Sequence, residues 1–192
     1  RKTSRRPRHL VQRYAREVPG ERFQMDTCQI PPSLYQYTAV DDCTRIRVLA
    51  LYARRNAANT LLFIERLSEE MPFPIQRLQT DRGREFFAYK VQEQLMAYGI
   101  KFRPIKPRSP HLNGKVERSQ KTDWEEFYST VDLDSPDLEQ KLEAWQDYYN
   151  QQRSHGSLHG KTPWERWLEL LHQTPYRDEV ETVYDACEER LE

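Results

Sequence analysis

Asp26, Asp81 and Glu117 are the carboxylates whose surroundings would let them act together, and 35 residues separate the second from the third. Asp26 falls inside a run where Phe23, Met25 and Thr27 alternate with Gln24, Asp26 and Cys28. A period of two is a strand pattern, and a charge in a strand interior needs a partner or an exposed face. Asp81 directly follows the run Ile75–Thr80 and precedes Arg82-Gly83. Ligands of α/β sheets gather at the carboxyl ends of strands, which is where Asp81 would stand. Glu117 lies near the start of a helical stretch. On a wheel of about 100° per residue, Val116, Gln120, Trp124 and Phe127 span roughly 80° and define an inner face. Glu117 borders that face, with Lys121 about 40° and Arg118 about 100° farther round.

Carboxylates within a few ångströms of one another ionise together only where cations compensate their charge. Mg²⁺ takes oxygen ligands and keeps positions open for water and phosphate. Two such ions about 3.5–4 Å apart activate an attacking oxygen and stabilise a leaving one. This is phosphoryl-transfer chemistry, and it needs no Cys, His or Ser nucleophile. Each acid also has a plainer role. Asp26 could pair with an arginine, Asp81 could cap a helix starting near Arg84, and Glu117 could pair with Lys121 along the helix. Asp41 and Asp42, ahead of Cys43-Thr44-Arg45, read as turn residues. His111 is a loop histidine and a candidate proton carrier. Cys28, Cys43 and Cys187 form no CxxC pair, and His155 and His159 lack two further ligands, so neither a disulfide framework nor a zinc site is expected. Reduced thiols point to the cytosol.

To bring such acids together the chain must build a sheet with helices on it. Strand-like runs near Phe23–Cys28, at Leu34–Val40 and at Arg45–Tyr52 are separated by Pro31-Pro32-Ser33 and by a turn at 41–44, predicting an antiparallel meander. A helix from about Ala57 to Met71 carries Leu61, Ile64, Leu67 and Met71 on one stripe and stops at Pro72. After the strand Ile75–Thr80, Phe87, Val91 and Leu95 mark a second helix, and Ile100–Ile105 a fifth strand. The order β-β-β-α-β-α-β predicts a mixed five-stranded sheet with helices on both faces. Residues 106–114 form a loop by their Pro, Ser, Asn and Gly content. A long helix is predicted from Gly114 past Tyr128, and another from Pro136 through Leu142 and Tyr149. A third starts at Thr162-Pro163-Trp164-Glu165, where Thr caps, Pro takes the first position and Glu completes a capping box. The last fifteen residues are acidic, a docked helix or a loose tail.

The formal net charge is zero, but it hides a split. Residues 1–121 hold 24 Lys and Arg against 12 Asp and Glu, and residues 122–192 hold 6 against 18. The first two-thirds is therefore suited to a polyanion. No apolar run approaches the roughly 18 residues of a membrane span, so no membrane partner is expected. Residues 1–19 carry seven Arg or Lys, as in a basic linker or arm. The chain begins with Arg, and is read as a segment of a longer protein.

Three motifs together resemble the DDE transposase and retroviral-integrase catalytic core, which has a ribonuclease-H-like α/β fold. They are Gln24-Met25-Asp26-Thr27, then Thr80-Asp81-Arg82-Gly83-Arg84-Glu85-Phe86, then Pro110-His111-Leu112-Asn113-Gly114-Lys115-Val116-Glu117-Arg118. The 35-residue interval matches that superfamily's common spacing. Tyr149-Asn150, Arg153, His155, Leu158, Gly160 and Thr162-Pro163 follow in an order similar to bacterial insertion-sequence transposases. The resemblance covers roughly residues 20–170. Arg82 departs from the Asn that many members carry there.

The resemblance implies a catalytic core at 20–130, a helical extension at 131–176 and an acidic tail at 177–192. It implies DNA end cleavage and strand transfer with two Mg²⁺ (or Mn²⁺) ions per active site. Asp26 would bridge the ions, and Asp81 and Glu117 would each help hold one. Asn113, Lys115, Arg118 and Lys121 would form the DNA-binding edge, with transposon ends and target DNA as partners. A homodimer or higher oligomer, and a bacterial cytoplasmic, nucleoid-associated setting, are the matching expectations. Two alternatives stay open: a nuclease of this fold that cuts without joining, and an inactive DNA-binding or assembly module. The charge split adds that the acidic C-terminal third folds back on a basic surface and competes with DNA. Deleting the residues after Tyr176 is then expected to tighten non-specific DNA binding and steepen its salt dependence. Unchanged affinity across several salt concentrations would rule the competition out.

Overall fold

The computed structural model of the chain describes residues 16–106 and 110–189. Most of the basic arm, the middle of the loop at 106–114 and the end of the acidic tail lie outside the described residues. Strands Phe23–Ile30 (β1), Leu34–Asp41 (β2), Arg47–Tyr52 (β3), Arg77–Thr80 (β4) and Lys101–Pro104 (β5) form one sheet in the order β3-β2-β1-β4-β5. β1, β2 and β3 are an antiparallel meander, whereas β4 runs parallel to β1 and to β5. Parallel neighbours need a crossover, supplied here by helices Ala57–Glu70 (α1) and Tyr89–Ala97 (α2). This is the mixed sheet of the ribonuclease-H-like fold.

Strand alternation sorts the residues onto two faces. Phe23, Met25, Tyr37, Ala39, Val48, Ala50 and Leu78 turn to one side and pack with Phe63, Ile64 and Leu67 of α1 and Val91 and Leu95 of α2. The other face meets helices Gly114–Glu126 (α3) and Leu138–Gln151 (α4), where Ile30 and Leu49 join Phe127, Leu142, Trp145 and Tyr149. The first interface is mainly apolar; the second encloses charge.

At its centre Arg47 Nη1 lies 2.7 Å from Asp123 Oδ1, with both side chains essentially solvent-free. Asp123 also accepts from Trp145 Nε1 at 2.7 Å and Gln36 Nε2 at 2.8 Å, while Arg47 donates to Ser119 Oγ at 2.8 Å. The guanidinium stacks 3.3 Å from the centre of the Tyr149 ring. One turn apart on α4, Gln146 and Asn150 bind the backbone of edge strand β3. Asn150 accepts from Arg47 N at 3.0 Å and donates to Arg47 O at 2.9 Å, and Gln146 accepts from Leu49 N at 2.6 Å. An edge that would otherwise invite another strand is thereby occupied.

Three sequence expectations change. Trp124 is 37% exposed, and Asp123 takes the inward position that an apolar wheel assigned to Trp124. Apolar periodicity cannot register an aspartate drawn inward by Arg47. α3 ends at Glu126 and gives way to a 3₁₀ turn, Tyr128–Thr130. Residues 84–88 are not helical and α2 starts at Tyr89, so Asp81 is not its N-cap.

Beyond α4, helix Pro163–Glu169 (α5) begins with the expected capping box. Thr162 Oγ1 accepts from Glu165 N at 3.1 Å, and Glu165 Oε2 accepts from Thr162 N at 2.8 Å. The insertion-sequence-like residues around it act as braces: Tyr149 and Asn150 hold Arg47, and Arg153 pairs with Glu126. His155 packs edge-on against Tyr149 with centroids 4.5 Å apart, and burial pushes its pKa down to about 4. The acidic end forms helix Arg177–Val183 (α6) and docks: both Arg103 Nη atoms donate to Glu189 at 2.7 Å, so this segment does return to edge strand β5. Among the described residues no helix is long and apolar enough to cross a membrane.

Arg47→Met removes the cation but leaves Asp123 buried, and is expected to cost about 3–5 kcal/mol by urea denaturation. The double variant Arg47→Met/Asp123→Leu should recover much of that loss. A single-variant cost under about 1 kcal/mol would show that the pair does not anchor α3 to the sheet.

Candidate active site

Gln24, Asp26 and Cys28 all stand on the α3 side of β1, because residues two apart share a face. Asp26 pairs in register with Thr38 of β2 and is half-buried at the edge of α3. Its Oδ1 accepts from Thr27 N at 2.8 Å. Burial pushes its pKa up to about 7; the Thr27 hydrogen bond works against this, and the charges of Asp81, Glu117 and Glu85 add to it. Asp26 thus feels the charges of both other sequence-selected acids, Asp81 and Glu117.

Asp81 follows the last residue of β4, the central parallel neighbour of β1. Its Oδ1 accepts from Gly83 N at 2.9 Å, closing a tight turn just after the strand. A Cβ at Gly83 would come within 3 Å of the Glu85 carboxylate, so this glycine lets Glu85 fold under the turn. Glu85 is buried and faces Arg55 Nε at 3.4 Å. Glu117 lies in the first turn of α3 and is exposed. The helix start that carries it rests on β1: Gln24 Oε1 accepts from Lys115 N at 3.0 Å and Val116 N at 3.3 Å.

Asp41 and Asp42 do form a turn, as their sequence setting indicated. Asp41 accepts from Thr44 N at 2.7 Å, Thr44 Oγ1 at 2.8 Å and Gly20 N at 3.1 Å. Asp42 is wholly buried and gathers Arg22, Arg45, Lys115 and Gln24 Nε2. Lys115 thus points inward to Asp42, and burial lowers its ammonium pKa to about 8. Asn113 is buried too. Arg118 and Lys121 are exposed, with Lys121 Nζ 3.5 Å from Glu125. The His111 side chain lies outside the described residues.

Sequence reading missed Gln24, Glu85 and the hub role of Asp42. Gln24 carried a signal, since it stands two residues before Asp26 and must share its face. Asp42 carried none, because its partners come from 20 residues upstream and 73 downstream.

The donor set suits a hard divalent cation, being carboxylate oxygen from strand, strand end and helix. Among the described residues no three His, Cys, Asp or Glu side chains close on a common point as a ligand cage.

Comparison with known proteins agrees with this architecture. Residues 16–110 and 98–163 match two family models, each of an integrase core domain. The integrase-like ORF3 protein of Spiroplasma virus SpV1-C74 is 26% identical over 165 residues, covering 73% of this chain and 46% of that protein. The chain thus spans about half the length of that relative. Among solved structures, the catalytic core domain of BIV integrase superposes with a TM-score of 0.66 at 23% identity, covering 80% of this chain and 97% of that one. The HTLV-2 integrase catalytic core domain in complex with magnesium gives 0.63 at 19% identity, covering 77% and 95%. Identities this low establish the fold alone. The two family matches, which together run from residue 16 to residue 163, are what tie the chain to the integrase core domains.

Proposed function

We propose that this domain hydrolyses DNA at the ends of a mobile element and transfers the resulting 3′-OH to a target strand. The observation that carries the reading is that Asp26 stands one residue past the stretch of β1 that pairs in parallel with β4, Asp81 directly follows β4, and Glu117 lies in the first turn of a helix resting on β1. Asp26, Asp81 and Glu117 would hold Mg²⁺ or Mn²⁺, which when bound activates an attacking oxygen and stabilises a leaving one. The chain's own part is placement. One acid is on a sheet strand, one directly follows a strand and the third is on a helix fixed to the sheet, and the burial around Asp26 lowers local polarity so that charges there act strongly. The residues that resemble those of insertion-sequence transposases would favour strand transfer over simple cleavage, since they attach an extension beyond the core.

Arg118 and Lys121 are the side chains we assign to DNA phosphate, as both face outward on the helix that bears Glu117. Lys115 and Asn113, held within the fold, shape the approach to that surface. Two copies acting on paired ends would suit the reaction.

Asp26→Asn, Asp81→Asn and Glu117→Gln should each lower Mn²⁺-dependent strand transfer on pre-nicked ends by on the order of 10²-fold or more, with circular dichroism unchanged. Full activity in any one would remove that residue from the site. Hydrolysis without joining would leave a nuclease, and no Mn²⁺ binding even with DNA present would leave a binding module. Arg118→Ala should weaken DNA binding uniformly across sequences and reduce the salt slope by about one. Lys115→Met should instead appear mainly as lost thermal stability. Equal effects on DNA binding from both would overturn the division between them.

A further inference from the structure

Gln24 and Gln79 are register partners in the parallel β1–β4 pair, so their side chains leave the same face side by side. Two residues farther along the chain stand Asp26, on that same face of β1, and Asp81, just past the end of β4. Both glutamines are buried, and both grip the chain where it enters α3. Gln79 Nε2 donates to Leu112 O at 2.7 Å. Gln24 Oε1 accepts from Lys115 N and Val116 N at 3.0 and 3.3 Å. The segment 112–116 is thus held by a donor on its carbonyl and an acceptor on its amides, and the next residue is Glu117.

The helix needs this help. Asn113, the residue in its cap position, makes no side-chain capping bond. The first N–H groups of a helix have no intrahelical partner, and here two of them are satisfied from a strand. The orientation of the Gln24 amide is set at its other end, where Nε2 donates to Asp42 Oδ1 at 3.2 Å. A carboxylate facing a side-chain amide requires the nitrogen, which turns the oxygen toward α3. Glutamine also supplies that acceptor without adding a charge beside Asp26, whose carboxyl already feels three acids.

We propose that Gln24 and Gln79 are positioning residues that set the height of Glu117 above Asp26 and Asp81. Each sheet acid is preceded by the amide that locates the helix acid, so all three share one rigid reference, the β1–β4 register. This rests on the reading of the three acids as the metal-holding site. A displacement of about 1 Å at such a site is enough to lower a rate roughly 10²-fold.

Gln24→Met and Gln79→Met remove the hydrogen bonds at nearly constant volume. Each is expected to lower single-turnover strand-transfer rate at least tenfold with DNA KM unchanged, and to weaken Mn²⁺ binding measured calorimetrically. A purely structural role would lower the melting temperature and the active fraction while leaving the rate per folded molecule and the Mn²⁺ affinity intact, and that result overturns the proposal. If Gln24→Met does not fold, Gln79→Met, which spares the helix cap, decides by the same criteria. Should the three acid variants be inactive while both glutamine variants retain wild-type rate, only the positioning role fails. Activity in the acid variants would instead remove the site itself.

Discussion

Burying Arg47 against Asp123 is the constraint on which the site-bearing half of the molecule depends. The two charges sit between sheet and helix with almost no solvent, so each is tolerable only while the other is in place. Satisfying them recruits Ser119, Gln36, Trp145 and the Tyr149 ring, which come from α3, β2 and α4. A purely apolar contact would allow α3 to slide or roll by small amounts. A directional pair surrounded by hydrogen bonds allows one seating, and Glu117 rides on that helix six residues before Asp123.

The opposite face of the sheet works by other means. Phe23, Met25, Phe63, Ile64, Leu67 and Leu78 are fully or almost fully buried there, and their burial supplies non-directional stability. Stability and precision are in this sense divided between the faces. α1 and α2 hold the sheet together, and the polar network beneath α3 and α4 decides where side chains point. Gln24, Asp42 and Gln79 form a second polar set on that side, which holds the start of α3, the turn that carries Glu117.

Much of this was legible in the residues. Alternation around Asp26, the run ending at Asp81 and the Pro-flanked helix from Ala57 gave strands, order and fold class, because period and breakers are local properties. The capping box at Thr162 was equally local and formed as read. The exchange of Trp124 for Asp123 was not legible, since the wheel weighs hydrophobicity and Asp123 is inside for a partner 76 positions away. Lys115 looked like a surface cation beside Arg118, yet Asp42 turns it inward. The helix start proposed near Arg84 failed for a similar reason: α2 begins only at Tyr89, and Glu85 is buried facing Arg55, a partner from well back in the chain.

The sequence by itself determined the element types, the acids to consider and the superfamily they resemble, all of which follow from short-range pattern and motif spacing. Only the tertiary structure decided how those acids stand to one another. It set Gln24 beside Gln79 through a parallel pairing that joins residues 55 apart, and it fixed α3 by a buried ion pair spanning the chain. The physical reason is that register, buried charge and hydrogen-bond direction are properties of elements in contact. No single segment carries them until the sheet has formed and α3 has been seated on it.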